Sequence, residues 1–246
     1  MTLVSTDWLS KNLNKVKIID ASWHLVKNRN AFEEYNREHI ENAIFFDLDK
    51  NSNQKKDLPH GHFLPPKSNH ENAISKMGIL NTDRIIIYCY SDLISSCRAW
   101  FQFLYFGHEP KLVSVLNGGM KKWKLEGRKV TSLKTKVIGS NYEAKENKNM
   151  IKLKSQINEN IKKREFTVLD ARSKNRFLGN EPEPRPGIKS GSIEGSKSLP
   201  LSEIINVKDN TFLDTKKLRD IFNLSEIISN KIVMSCGSSV SAASLA

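Results

Sequence analysis

The sequence predicts an α/β protein of two tandem domains, each a mainly parallel sheet with helices on both faces. Three observations predict it. Short apolar strands alternate with helix-like stretches; three strand segments recur in the same order 150, 153 and 147 residues apart; and each set ends on a cysteine.

The first pair is K-I-I-D-A-S at 17–22 with T-V-L-D-A-R at 167–172, each a short apolar strand ending in Asp-Ala. The second is E-H-I-E-N-A-I-F-F at 38–46 with G-S-I-E-G-S-K-S-L at 191–199. The third, D-R-I-I-I-Y-C at 83–89 with N-K-I-V-M-S-C at 230–236, delivers Cys89 and Cys236 to equivalent strand ends. Helices are expected between them: residues 5–13 open with Ser-x-Asp, 69–77 follow a proline pair, and 96–106 are amphipathic and aromatic. Ligands of such sheets sit at the carboxyl ends of the strands, where both cysteines fall. The polar, weakly periodic stretch 132–148 reads as a linker, which sets the domains at 1–131 and 149–246.

At 246 residues, 38% hydrophobic and 27% charged, with a mean hydropathy of -0.48, the composition is that of an ordinary globular protein with room for two cores. Its longest apolar runs, near Ile85-Ile86-Ile87 and 100–106, fall far short of the roughly 20 residues of a membrane span, so no membrane association is expected. M-T-L-V-S-T-D-W-L has neither a basic n-region nor an apolar h-region, and a cytoplasmic location is expected. The three cysteines, Cys89, Cys97 and Cys236, form no C-x-x-C pair and no metal-ligand spacing, which fits reduced thiols. A net charge of +12 raises nucleic acid as a partner, but the lysines are scattered, and between Lys134 and Lys163 they are interleaved with glutamates and asparagines. A solvated surface that attracts small anions is the reading adopted, with no nucleic acid bound.

The candidate site is C-G-S-S-V-S at 236–241. A loop of Gly237, Ser238, Ser239, Val240 and Ser241 running from a strand into a helix can aim several backbone amides at the Cys236 sulfur. Such surroundings lower a thiol pKa from about 8.5 into the range of roughly 3.5 to 7.5. The competing reading is a buried cysteine acting as a small hydrophobe.

Taken together, V-S-T-D-W-L, I-I-D-A-S-W, F-F-D-L-D, F-L-P-P, F-G-H, L-N-G-G-M-K-K-W, R-F-L-G-N-E-P-E-P-R-P-G and C-G-S-S-V-S resemble the tandem-domain sulfurtransferases of the rhodanese superfamily, specifically those acting on 3-mercaptopyruvate. The resemblance covers nearly the whole chain. It implies two rhodanese-like domains, the second catalytic, with Cys236 taking sulfur as a persulfide. The sulfur then passes to a thiol, cyanide or a thioredoxin-like protein, with no metal or organic cofactor implied; a monomer is expected. The substrate carboxylate is implied to bind Arg176 and Arg185, whose planar forks suit it better than lysine would, while loop residues Gly237, Ser239, Val240 and Ser241 are expected to meet the substrate around the Cys236 sulfur. A salt bridge from these arginines to Glu181 or Glu183 is the alternative. A proton relay for the leaving enolate is implied to join Ser238, Asp49 and a histidine. The match to H-x-L-P favours His62, whereas counting from Asp49 favours His60, so both stay open.

Relatives that use thiosulfate resemble one another in carrying Arg or Lys at the two positions after the cysteine; here these are Gly237 and Ser238. A neutral loop suits 3-mercaptopyruvate, leaving a thiosulfate sulfurtransferase and a non-catalytic binding module as alternatives. Several positions depart from the pattern. Cys89 stands where the family usually has Asp, within the bulky, acidic Y-C-Y-S-D-L-I-S-S, and reads as structural, as does Cys97. Asp170 with Arg172, and Arg98, read as fold-holding ion pairs. Ser192-Ile193-Glu194-Gly195 replaces the usual His-x-Pro-Gly. After Cys236 the family continues with a helix, a strand and a final helix, so the second domain is expected to lack its last elements and the helix facing the cysteine to be incomplete.

Overall fold

The computed structural model of the chain describes residues 2–25, 28–56, 58, 61–184, 188–224 and 231–246. It divides into two compact units: Met1–Asn147 with Lys208–Thr211, and Lys148–Val207 with Phe212–Ala246.

The first unit runs β1 (Leu3–Val4), α1 (Thr6–Ser10), β2 (Lys17–Asp20), α2 (Ala31–Arg37), β3 (Ala43–Phe45), α3 (Lys67–Lys76), β4 (Ile85–Tyr88), α4 (Ser96–Tyr105), β5 (Val113–Leu116) and α5 (Gly119–Leu125). Its five-stranded sheet has the order β1-β5-β4-β2-β3, and every pairing is parallel. Ile18 and Ile19 of β2 lie opposite Ile86 and Ile87 of β4, all four fully buried. Such unbroken apolar runs suit strands covered on both faces. Helix starts follow local chemistry: Ser5 accepts from Trp8 N, and Asn30 accepts from Phe32 N and Glu33 N. α1 is shorter than the helix read at 5–13, because Asn12 Nδ2 turns back onto the Trp8 carbonyl at 2.7 Å. The strand read at 38–46 shrinks to β3, since Asn42 adopts φ 66° just before it.

The segment read as a linker carries no helix or strand before a turn at Lys148–Met150, yet through Asn147 it belongs to the first unit. Thr135 Oγ1 donates to the Ala43 carbonyl at 2.7 Å, Ser140 N to Ser75 O at 2.9 Å, and Lys145 N to Phe106 O at 2.8 Å. Tyr142 is buried and stacks on His108 with ring planes 5° apart. The first unit therefore extends beyond 131. A polar average hid two buried side chains, Tyr142 and Ala144, and a run of backbone hydrogen bonds.

From Lys148 onward the chain runs α6 (Lys154–Lys163), β6 (Thr167–Asp170), α7 (Lys174–Leu178), β7 (Lys197–Ser198), β8 (Ile205–Asn206), β9 (Thr211–Phe212), α8 (Thr215–Leu224), β10 (Ile232–Ser235) and α9 (Ala242–Leu245). Its main sheet is β10-β6-β7, again parallel, with Ser235 opposite Asp170. Of the stretch 191–199 only β7 is extended in a ladder. Gly195 at φ +76° breaks the rest, and a Cβ there would sit 2.2 Å from Arg164 Nη1. Both units are thus α/β with parallel sheets. In each, the last strand of the repeat ends immediately before its cysteine.

Candidate active site

In the second unit, β10 delivers Cys236 half-buried at the carboxyl end of the sheet, followed by a tight turn into α9. The turn is anchored by Val240, which is buried, and by the buried face of α9. Ser239 is exposed and takes φ 62°, a left-handed conformation that costs a residue with a Cβ. Gly237 and Ser238 are half-buried, and neither brings a cation to the sulfur.

The neighbouring strand ends on a chain of ion pairs. Asp170 accepts from Arg172 Nε at 3.0 Å and Nη2 at 2.6 Å, and Arg172 Nη2 also donates to the Gly191 carbonyl at 2.8 Å. Arg172 Nη1 reaches Glu183 Oε1 at 2.5 Å, while Arg176, on α7, donates from Nε and Nη2 to the two oxygens of the same carboxylate. The Glu183 side chain is 2% exposed. Burial pushes its carboxyl upward, but hydrogen bonds from Arg176 and Arg172 outweigh this and hold it below the usual carboxylate range. Asp170 and Arg172 form the fold-holding ion pair read from the sequence. Arg176 forms the pair with Glu183, leaving some of its five N–H donors for a ligand. Arg185 lies outside the described residues.

In the first unit, Asp49 and His62 meet: His62 Nε2 is 2.8 Å from Asp49 Oδ1. Asp49 follows β3, and its backbone carbonyl accepts from Gln54 Nε2 at 2.6 Å. His62 is buried, takes φ 69°, and its carbonyl accepts from Arg98 Nη2 at 3.0 Å. Arg98, read as a partner in an ion pair, thus acts on this backbone from α4. Trp23 was not legible as part of the site; its indole Nε1 lies 3.2 Å from both Asp49 oxygens, and its ring meets His62 edge-on at 4.7 Å. The Asp-Ala-Ser-Trp segment that ends β2 was the available signal. His60 lies outside the described residues.

The first unit's own cysteine differs in kind. Cys89 is 5% exposed, its Sγ is 3.3 Å from Ser96 Oγ, and burial pushes its thiol pKa up against the hydrogen bonds it receives. Cys97 is also buried, on α4. Asp20, the counterpart of Asp170, has Ser22 as a partner instead of an arginine, with the Ser22 backbone N 2.9 Å and its Oγ 2.5 Å from Oδ1.

A family model described as a rhodanese-like domain matches residues 5–126. Among curated relatives, "Thiosulfate/3-mercaptopyruvate sulfurtransferase 1, mitochondrial" of Arabidopsis thaliana is 36% identical over 99% of this chain and 70% of its own length. Human 3-mercaptopyruvate sulfurtransferase is 32% identical over 99% of this chain and 84% of its own. Among solved structures, SseA of Escherichia coli, a 3-mercaptopyruvate sulfotransferase with the rhodanese fold, superposes with a TM-score of 0.88 at 27% identity, covering 100% of this chain and 92% of its own.

Proposed function

The chain belongs to the rhodanese family of sulfurtransferases, and from that premise we propose that it transfers the sulfur of 3-mercaptopyruvate through a persulfide on Cys236. The single observation that carries the assignment is the contrast between the repeat-related cysteines. Cys236 is reachable at the end of β10, whereas Cys89 is buried with its thiol pKa raised.

The Cys236 thiolate attacks the sulfur of 3-mercaptopyruvate, forming an S–S bond as the C–S bond breaks. The electron pair leaves on carbon as the enolate of pyruvate, which takes a proton to give pyruvate. An acceptor thiolate, cyanide or a thioredoxin-like thiol then attacks the outer sulfur and regenerates Cys236. Arg176, oriented by Glu183, grips the donor carboxylate, with Arg185 as the second fork of the pair. The amides of Gly237, Ser239, Val240 and Ser241 line the sulfur, and Ser238, His62 and Asp49 supply the proton relay, with His62 the histidine favoured by its bond to Asp49.

The choice of donor rests on the loop, since one relative's name carries both donors. Gly237 and Ser238 offer a thiosulfate dianion no positive partner. We place the chain in the cytoplasm as a monomer; among the described residues no helix is long and apolar enough to cross a membrane.

Mass spectrometry after exposure to 3-mercaptopyruvate should find one added sulfur, on Cys236 and not on Cys89 or Cys97. Steady-state comparison of the donors should give 3-mercaptopyruvate the higher kcat/KM. No added sulfur sinks the enzyme reading, and a preference for thiosulfate sinks the choice of donor.

A further inference from the structure

The Asp49 side chain is 67% exposed, so hydrogen bonds and not packing orient its carboxylate. The indole of Trp23 straddles that carboxylate, with Nε1 3.2 Å from each oxygen. Trp23 is itself fixed from the backbone. Its N donates to Ser95 Oγ at 3.1 Å, and Ser95 Oγ donates to the Ala21 carbonyl at 2.7 Å, so β2 and the start of α4 clamp it together. Its ring also walls one side of the His62 imidazole, centroids 4.7 Å apart at 83°. From behind, Arg98 holds the His62 carbonyl in its left-handed turn.

A carboxylate can only accept, so the 2.8 Å contact to Asp49 places a proton on His62 Nε2. Nδ1 is buried and has no hydrogen-bond partner among the described residues. In a neutral imidazole the nitrogen opposite the N–H bears the lone pair, and the bond made by one nitrogen decides what the other can do.

We propose that Trp23 is a positioning residue: its indole N–H locks the Asp49 carboxylate so that His62 keeps its proton on Nε2 and presents Nδ1 as the exchanging nitrogen. This rests on the reading of Asp49 and His62 as the proton relay. Without the indole N–H the exposed carboxylate loses the donor that spans both its oxygens, the Nε2 bond weakens, and the tautomer is no longer single. The effect reaches the reaction only through Asp49, which is what separates it from a general packing role.

The test uses the full chain with 15N-labelled histidine, assigned with a His62→Gln control. Wild type should show His62 as the Nε2–H tautomer with a slowly exchanging proton. Trp23→Phe keeps an aromatic face on His62 but should give a mixture of tautomers and faster exchange. With 3-mercaptopyruvate its kcat should fall roughly 10-fold while KM stays within about 2-fold, the signature of a lost acid–base contribution. In an Asp49→Asn background the same substitution should change kcat less than about 2-fold. Benzothienylalanine at position 23, which replaces only the N–H, takes the place of phenylalanine if Trp23→Phe does not fold. An unchanged tautomer and kcat in the variant, or effects that multiply in the double variant, overturn the proposal. A wild type that transfers no sulfur sinks the functional reading instead, and the tautomer measurement still decides what Trp23 does to His62.

Discussion

Glu183 grips Arg176 at two points, with Nε 3.2 Å from Oε1 and Nη2 2.5 Å from Oε2, and it does so from a side chain almost wholly out of solvent. The same carboxylate takes Arg172 Nη1 at 2.5 Å. One buried anion therefore orients the proposed substrate arginine and joins it to the strand end at Asp170.

Glu183→Gln tests both roles. Removing one partner of a buried ion pair costs about 3 kcal/mol, which urea unfolding of the variant should register. If Arg176 clamps the donor carboxylate, KM for 3-mercaptopyruvate should also rise, roughly 10-fold for the loss of one such oriented contact. A destabilised variant with unchanged KM would remove Arg176 from the binding site. Because the Glu183 carboxyl is held below its unfolded value of 4.5, its contribution is present above that pH and lost as pH falls through the lower folded value. The glutamine variant should lack this acid limb.

Cys89→Ser should keep sulfur transfer and the added sulfur on Cys236, since Cys89 is buried and its thiol is pushed up. Serine can replace the sulfur opposite Ser96 Oγ, so the loss of stability should be about 1 kcal/mol. Loss of turnover in a folded Cys89→Ser chain would reopen the first unit as a site of chemistry.

Ser239→Gly should stabilise the chain by about 1 kcal/mol, because glycine accepts φ 62° without the Cβ clash. The proposed contribution of Ser239 is its amide, which glycine retains, so kcat should hold. Lower stability on thermal unfolding would show that the hydroxyl supports the loop.

What the sequence made legible was whatever repeats or alternates. The Ile18-Ile19 and Ile86-Ile87 runs, the paired strands ending at Cys89 and Cys236, and the Asp170–Arg172 pair are all written in short local strings. Contacts made by distant residues through left-handed turns were not. Nothing local to His62 tells that its backbone turns at φ 69° or that Arg98, 36 residues later, holds its carbonyl. Trp23 reaches Asp49 across 26 residues, and Tyr142 is buried from within a polar stretch. Tyr142 packs against His108 and His70, which no window around 132–148 contains.

His70 supplies a pH dependence. It is buried, its ring stacks 4.0 Å from Phe106, and its Nε2 has no hydrogen-bond partner among the described residues. Burial first, then the nearby charges of Arg98 and His108, lower its pKa from 6.5 to about 3. The unfolded chain therefore binds the proton first on acidification. The contribution of the neutral His70 is complete above 6.5 and is lost as pH falls toward about 3. His70→Phe, which can keep the stack, should be less acid-sensitive than wild type by about 3 kcal/mol near pH 4, at about 1.4 kcal/mol per pH unit. Parallel acid limbs in the two proteins would show that His70 is protonated in the fold.

Asp20 works in the opposite sense within the same unit. Burial raises its pKa from 3.8 to about 6, against hydrogen bonds from Ser22 and Tyr88, and no arginine stands where Arg172 serves Asp170. The folded state now holds the proton more tightly, so the contribution is complete below 3.8 and lost as pH rises through about 6. Asp20→Asn offers the same acceptor to Ser22 with no charge to bury. It should exceed wild type by roughly 1 to 3 kcal/mol near pH 8 and converge on it in acid. Asp170→Asn should do the reverse near pH 8, because it strips Arg172 of its carboxylate. Between 3.8 and about 6 the His70 and Asp20 slopes oppose one another in wild type, so each single variant should unmask the slope of the other. A flat profile in both would mean that neither group changes protonation on unfolding.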